Sequence, residues 1–257
     1  MPNETNKPPI RALISGGASG LGFASAQHII EQGGQVVILD NNQEKGLTAQ
    51  QSLGRNAQFV QADVGDFNSV EHAVKQAVEE LGHINLNLNC AGVAPSQRVL
   101  GRDGLMAMED YIRVIEINLS GTFALCRACA NEMQHNPVVQ DGERGVIINT
   151  ASIAAFDGQI GQAHYAASKG GIASMTLPLA REFARFGIRV MTIAPGLFRT
   201  PLFDRLPEKA VNALEEATPF PKRLGMPNEF AALVDHIYIN TMLNGEIIRL
   251  DGALRMS

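Results

Sequence analysis

Short runs of Val, Ile and Leu alternate along this chain with longer segments whose apolar residues recur every three to four positions. The short runs, Arg11–Ser15, Gln35–Asp40, Ala57–Gln61, 84–89, Gly145–Thr150, 188–193 and 246–250, predict strands. Little polar alternation interrupts them, as expected where both faces of a sheet are covered. The segments between, 21–32, Gln43–Leu53, 68–81, 105–133, 164–185 and 228–239, predict helices. Gly33, Gly34, Gly82 and Gly187 stand where such helices should end. Repeated βαβ units predict an α/β fold with a doubly wound parallel sheet of about seven strands, helices on both faces and right-handed crossovers. No linker, repeat or low-complexity stretch divides residues 1–257, so one domain is expected.

Two segments depart from this rhythm. Residues 94–108 are longer than an ordinary strand-to-helix loop, and 196–225 carries Pro201, Pro207, Pro219 and Pro221 around a short helical run. Both follow strands, and ligands of open α/β sheets bind beyond the carboxyl ends of strands. These segments are the expected walls of a substrate site.

Composition narrows the function classes. With 257 residues and 45 % hydrophobic content, the chain can bury a large core. A net charge of −5 with scattered basic residues argues against nucleic-acid binding. The polar start, Met1 to Pro9, has neither the apolar core of a secretory signal nor an Arg-rich amphipathic pattern. No apolar run reaches the roughly 18 residues a membrane span needs. The three cysteines, Cys90, Cys126 and Cys129, are odd in number and suit a reducing compartment, so a cytoplasmic location is expected. Cys126 and Cys129 fall inside a helical pattern without a second ligand pair, so they read as buried thiols and no metal site is expected.

Ser15-Gly16-Gly17-Ala18-Ser19-Gly20-Leu21-Gly22 follows the first strand and opens the first helix. Glycine permits a tight turn and close approach of a pyrophosphate, and a helix N-terminus presents unpaired N–H groups with partial positive charge. In this position the pattern predicts a dinucleotide site and a Rossmann-like fold. Asp40 ends the second strand about twenty residues on, where a carboxylate would bind ribose hydroxyls and repel a 2′-phosphate, predicting NAD over NADP. Its other reading is a helix N-cap. Asp63-Val64 follows the third strand; Asp63 would meet the adenine amino group and Val64 the ring, or Asp63 would cap the next helix.

Tyr165 and Lys169 stand four apart in Tyr-Ala-Ala-Ser-Lys, on one helical face about 5–6 Å apart at Cβ. An ammonium beside a phenol favours the phenolate. With Ser152 upstream, this predicts a tyrosine working as a general acid or base. Taken alone, such a pair is far more often an ordinary surface pair.

Together these features resemble the short-chain dehydrogenase/reductase family over essentially the whole chain. The Gly-rich turn, Asp63-Val64, Asn89-Cys90-Ala91-Gly92, Asn118, Ser152, Tyr165 with Lys169, and Pro195-Gly196 occur in the family's order. Within the family, residues 144–156, 165–177, 188–198 and 244–256 resemble the branch that acts on 3-hydroxyacyl-CoA thioesters and on some hydroxysteroids. The resemblance implies that Tyr165 takes the alcohol proton as hydride passes to NAD. It implies that Ser152 orients the reacting oxygen, that Lys169 lowers the Tyr165 pKa and holds the nicotinamide ribose, and that Asn118 anchors a water. Gly16, Ser19, Gly20, Leu21 and Gly22 would cradle the pyrophosphate, with Cys90, Ala91 and Gly92 along the adenosine ribose. Pro195, Gly196, Phe198 and Thr200 would meet the carboxamide end. Cys90 departs from the Asn common at that position, but the contact there needs only backbone.

The substrate is less legible. Phe156, Gln162, Leu202, Phe203 and Leu206 are candidates for an apolar pocket, with Gln162 placed to bond a thioester carbonyl. Arg98 and Arg102 in the 94–108 loop are candidates for CoA phosphates, or are simply solvated. His164, beside Tyr165, reads as structural or solvated. Three activities stay open: a 3-hydroxyacyl-CoA dehydrogenase, a dehydrogenase of hydroxysteroids or other secondary alcohols, and an inert NAD-binding scaffold. The resemblance also implies a homotetramer.

Overall fold

A computed structural model describes residues 7–102, 104–201 and 208–256. In chain order the strands are β1 (Arg11–Ser15), β2 (Gln35–Asp40), β3 (Ala57–Gln61), β4 (Leu86–Asn89), β5 (Leu100–Gly101), β6 (Gly104–Leu105), β7 (Gly145–Thr150), β8 (Ile188–Pro195) and β9 (Ile247–Leu250). The helices are α1 (Gly20–Glu31), α2 (Gln43–Leu53), α3 (Phe67–Leu81), α4 (Met108–Ile115), α5 (Gly121–Met133), α6 (Ala163–Phe183), α7 (Glu208–Ala217) and α8 (Pro227–Ile239). Seven strands form a sheet in the order β3-β2-β1-β4-β7-β8-β9, every pairing parallel, while β5 and β6 make a separate antiparallel ribbon.

The near-continuous apolar strands follow from two cores. Leu13, Val37, Leu39, Ile147 and Val190 point to one face and pack with α3, α5 and α6 through Val70, Val74, Leu125 and Leu179. Their neighbours Ile14, Val36, Ile38, Ile148 and Ile193 point to the other and pack with α1, α2 and α8 through Ile29, Ala49, Phe230 and Val234. Period-two alternation is present, but both phases are apolar because both faces are covered. Cys126 and Cys129 lie buried on α5 in the first core, and burial lifts the Cys126 thiol to about 12.

The strand order reverses at β1. The chain steps outward from β1 to β2 and β3, then crosses to β4 on the other side of β1. The carboxyl ends of β1 and β4, paired at Ser15 and Asn89, therefore open a crevice between diverging connections. At the opposite pole, buried Glu143 pairs with Lys7 at 2.8 Å and Arg189 at 3.1 Å.

The long helix expected over 105–133 is helical from Met108 to Met133, with a change of hydrogen-bond register inside it. It divides into α4, a π-helical turn at Glu116–Ser120, and α5. Leu105 belongs to the β5–β6 ribbon, which fills part of the 94–108 segment. The 196–225 segment contains α7.

Candidate active site

The crevice begins at the turn after β1. Gly16 and Gly20 adopt φ +64° and +57°, a left-handed backbone that favours glycine. A Cβ at Gly22 would lie 2.4 Å from the Gly16 carbonyl oxygen, and one at Gly16 would lie 2.8 Å from Ala91 N. No side chain fits, so main chain lines the groove. Ser19 is exposed at the N-cap position of α1 and makes no capping hydrogen bond there, which leaves the first amides of α1 facing outward.

Both competing capping readings are resolved by the hydrogen bonds. Asn42, not Asp40, caps α2, accepting from Lys45 N at 2.9 Å; Asp40 accepts from Asn42 N at 3.1 Å. Asp66, not Asp63, caps α3, accepting from Asn68 N at 3.0 Å; Asp63 accepts from Gly65 N at 2.9 Å. Asp40, Asp63 and Val64 all line the crevice, whose outer hollow of about 360 Å³ also includes Gly16, Ser19, Gly20, Leu21 and Gly22. Cys90, Ala91 and Gly92 form its inner edge, and Thr200 closes over Gly20. Arg113 and Ile117, which sequence reasoning missed, line this same end.

A second hollow of about 180 Å³ continues inward and shares Leu21, Cys90, Gly92 and Thr200 with the first. Its walls include Ser152, Tyr165, Lys169, Pro195, Gly196 and Phe198. The structure thus brings together three segments far apart in sequence: the end of β4, the turn after β7 with α6, and the end of β8.

Lys169 is 5 % exposed and donates from Nζ to the Thr150 carbonyl at 2.8 Å. Burial draws its pKa down to about 8. The same Nζ lies 5.8 Å from the Tyr165 ring centroid. Burial raises the Tyr165 pKa, and the hydrogen bond between Tyr165 and Ser152 opposes that rise. Burial outweighs that bond, so the phenol's pKa stands above its ordinary value. Ser152 also accepts from Ala154 N at 3.1 Å, which starts the short turn after β7.

Asn118 is fully buried in the π-helical turn, an irregularity that recurs at functional sites. Its side chain accepts from Val93 N at 2.8 Å and donates to the Val93 carbonyl at 2.9 Å and Ser168 Oγ at 3.1 Å. A Cβ on Gly92 would lie 3.1 Å from Asn118 Oδ1 and 3.6 Å from Lys169 Nζ, so asparagine, glycine and lysine meet at one point. Thr150, Val93 and Ser168 were not anticipated as partners. Their contacts use backbone atoms or a hydroxyl inside a helix, which carry no residue-type signature.

Gln162 and Phe156 are not among the residues lining either hollow. Gln162 stands at the start of α6 and accepts from Gln159 N at 3.1 Å. Phe156 is 49 % exposed. His164 is fully buried, and neither ring nitrogen has a hydrogen-bond partner among the described residues. Leu202, Phe203 and Leu206 lie outside the described residues. Among the described residues no cluster of His, Cys, Asp and Glu could hold a metal ion, and no helix is long and apolar enough to cross a membrane.

The family model for short chain dehydrogenases matches residues 11–210. The chain belongs to that family. This short-chain dehydrogenase is 52 % identical over 247 residues to the 3-hydroxyacyl-CoA dehydrogenase type-2 of Bos taurus, covering 95 % of each chain. It is 51 % identical to the protein of the same name from Homo sapiens, again over 95 % of each. A crystal structure of 3-hydroxyacyl-CoA dehydrogenase type-2 from Mycobacterium avium superimposes with a TM-score of 0.93 at 38 % identity, covering 100 % of this chain and 99 % of that one. This short-chain dehydrogenase is an oxidoreductase enzyme, and the Rossmann-like sheet expected from its strand pattern is the observed one.

Proposed function

We propose that this enzyme interconverts a 3-hydroxyacyl-CoA and the 3-oxoacyl-CoA, using NAD, with Tyr165 as general acid and base. The observation that carries the reading is the convergence of Ser152, Tyr165 and Lys169 on the wall of one crevice whose outer end presents Asp40. The residues fit a dinucleotide: the groove at Gly16 and Gly22 excludes any Cβ, and the open N-terminus of α1 suits a pyrophosphate. When bound, NAD supplies the hydride acceptor and a cationic ring. The chain does the rest. Ser152 donates to the substrate oxygen and fixes its direction, and Tyr165 removes the alcohol proton. Lys169 bonds the nicotinamide ribose and stabilises the phenolate. Asn118 holds the Val93 main chain and the Ser168 hydroxyl beside Lys169, and that packing supports a water path from the lysine. The names of the relatives at about half identity support the acyl-CoA substrate.

Asp40 sets the cofactor choice. Its carboxylate repels a 2′-phosphate, and like charges at close range cost several kcal/mol, so kcat/KM with NAD should exceed that with NADP by about a hundredfold. Asp40→Ala should narrow the gap. Steady-state kinetics with both cofactors checks this, and a wild-type preference for NADP would remove the assignment.

Arg98 and Arg102 are exposed beside and within the β5–β6 ribbon, available to the phosphates of a CoA nucleotide. Replacing both with Ala should lower kcat/KM for acetoacetyl-CoA roughly tenfold while sparing a CoA-free ketone. Equal losses on both substrates discard the phosphate role. The same panel, run across acyl lengths and a hydroxysteroid, tests the acyl-CoA reading itself.

Assembly as a homotetramer is part of the proposal. The outer faces of α3, α5 and α6 enclose a hollow of about 640 Å³ that shares no residue with the crevice, and α5 exposes Phe123 there. Light scattering reads the mass directly.

A further inference from the structure

Arg249 lies in β9, outside the crevice, yet its guanidinium reaches both the turn after β7 and the turn that follows its own strand. Nη2 donates to Asp157 Oδ2 at 2.6 Å and to the Leu254 carbonyl at 3.1 Å. Nε donates to Asp251 Oδ2 at 2.7 Å. The guanidinium carbon stands 5.2 Å from the Phe156 ring centroid.

Both turns are walls of the crevice or their direct supports. Asp157 ends the short turn that Ser152 begins, its amide donating to the Ile153 carbonyl at 2.9 Å. The next residue, Gly158, sits so close to α6 that a Cβ would lie 3.0 Å from the Ala166 Cβ, one position after Tyr165. Asp251 supports the other wall. A Cβ on Gly196 would lie 2.9 Å from Asp251 Cα, and Gly196 N donates to the Leu250 carbonyl at 2.9 Å.

We propose that Arg249 is a positioning residue: it ties the turn carrying Ser152 to the Pro195-Gly196 turn and sets the width of the hollow in which the substrate oxygen sits. A planar fork can serve two carboxylates and an aromatic face at once, which a lysine cannot. The two carboxylates differ in what remains without it. Asp251 keeps Arg255 at 3.1 Å, whereas Asp157 has no other ion-pair partner among the described residues. Loss of Arg249 therefore frees the Ser152 side of the hollow more than the cofactor side.

This inference rests on the catalytic reading given above, and its test separates the two. Arg249→Gln, Asp157→Asn and the double variant are compared with wild type for turnover per active site, for the primary isotope effect with 3-deuterated 3-hydroxybutyryl-CoA, for NADH affinity by fluorescence, and for Tm. Displacing Ser152 by a fraction of an ångström should lower kcat roughly ten- to a hundredfold and raise the isotope effect, since hydride transfer becomes slower. NADH affinity should stay within about twofold, and the double variant should be no worse than the worse single one, as for two ends of one tie. Asp157→Glu should recover most of the turnover. Unchanged turnover per site and an unchanged isotope effect, whatever happens to Tm, overturn the proposal, because a purely structural tie alters only the folded fraction. If Arg249→Gln does not fold, Asp157→Asn carries the same comparison. A wild type that is inactive on 3-hydroxybutyryl-CoA but active on another secondary alcohol sinks the acyl-CoA reading alone. The same variants on that alcohol then decide the role of Arg249.

Discussion

Replacing Tyr165 with Phe should reduce kcat about a thousandfold or more in both directions while leaving NAD affinity nearly unchanged. In the proposed mechanism the phenol oxygen is the acid–base group; Tyr165 lies on the wall of the inner hollow, hydrogen-bonded to Ser152. General acid–base catalysis contributes about 10²- to 10⁴-fold, and Phe removes the group while keeping the ring that fills the space. Gly16, Gly22 and Asp40, proposed to hold the dinucleotide, lie at the other end of the crevice and are untouched. Stopped-flow turnover together with cofactor titration checks both halves. A variant that keeps a third of wild-type turnover would show that the proton leaves by another path.

Most strands were legible because two covered faces favour apolar residues in both phases; β4, with buried Asn87 and Asn89, departs from that. Strand order was less so. Nothing in the runs themselves distinguishes β4 from β3 as the neighbour of β1; the general rule that such sheets reverse at a switch point supplied the crevice. The 105–133 stretch shows where periodicity misleads. Its apolar spacing is helical throughout, and a π-helical turn adds only one residue to one turn, a change too small for the pattern to register. The residue that occupies this turn, Asn118, was marked by its place in a motif and not by its period.

Within the crevice, residues whose chemistry depends on type were readable, and those acting through main chain were not. Gly16, Asp40, Asp63 and Tyr165 stand out because no other residue serves the same geometry or charge. The Thr150 carbonyl that receives Lys169, and the Val93 peptide that holds Asn118, would do so with almost any side chain. Titration was also beyond the sequence. The spacing of Tyr165 and Lys169 predicts an acidified phenol, but burial acts on both groups toward their neutral forms, raising one pKa and lowering the other. The acidification proposed for catalysis therefore needs the bound cationic ring as well as the lysine.

That division of labour makes Lys169→Met the more revealing variant. Alcohol oxidation requires the phenolate, so its rate should rise with pH through the Tyr165 pKa, while ketone reduction requires the phenol and should fall across the same range. Removing the ammonium takes away the nearest fixed positive charge, and the inflection should move upward. At a separation of about 6 Å and an effective dielectric near 20, one charge acting on another is worth about 3 kcal/mol, so oxidation near neutral pH should fall about a hundredfold. Stability should move differently. Burial holds Lys169 at about 8 in the folded protein against an ordinary 10.5. Between those values the unfolded chain binds more protons, so stability rises with pH across that window and the cost of the buried ammonium is fully present below it. Met carries no charge to bury, so the variant should melt no lower than wild type near pH 7. A large loss of oxidation with an upward-shifted profile and an undiminished Tm identifies the lysine as an electrostatic partner of Tyr165. An unshifted inflection would show that the phenol is tuned by something else.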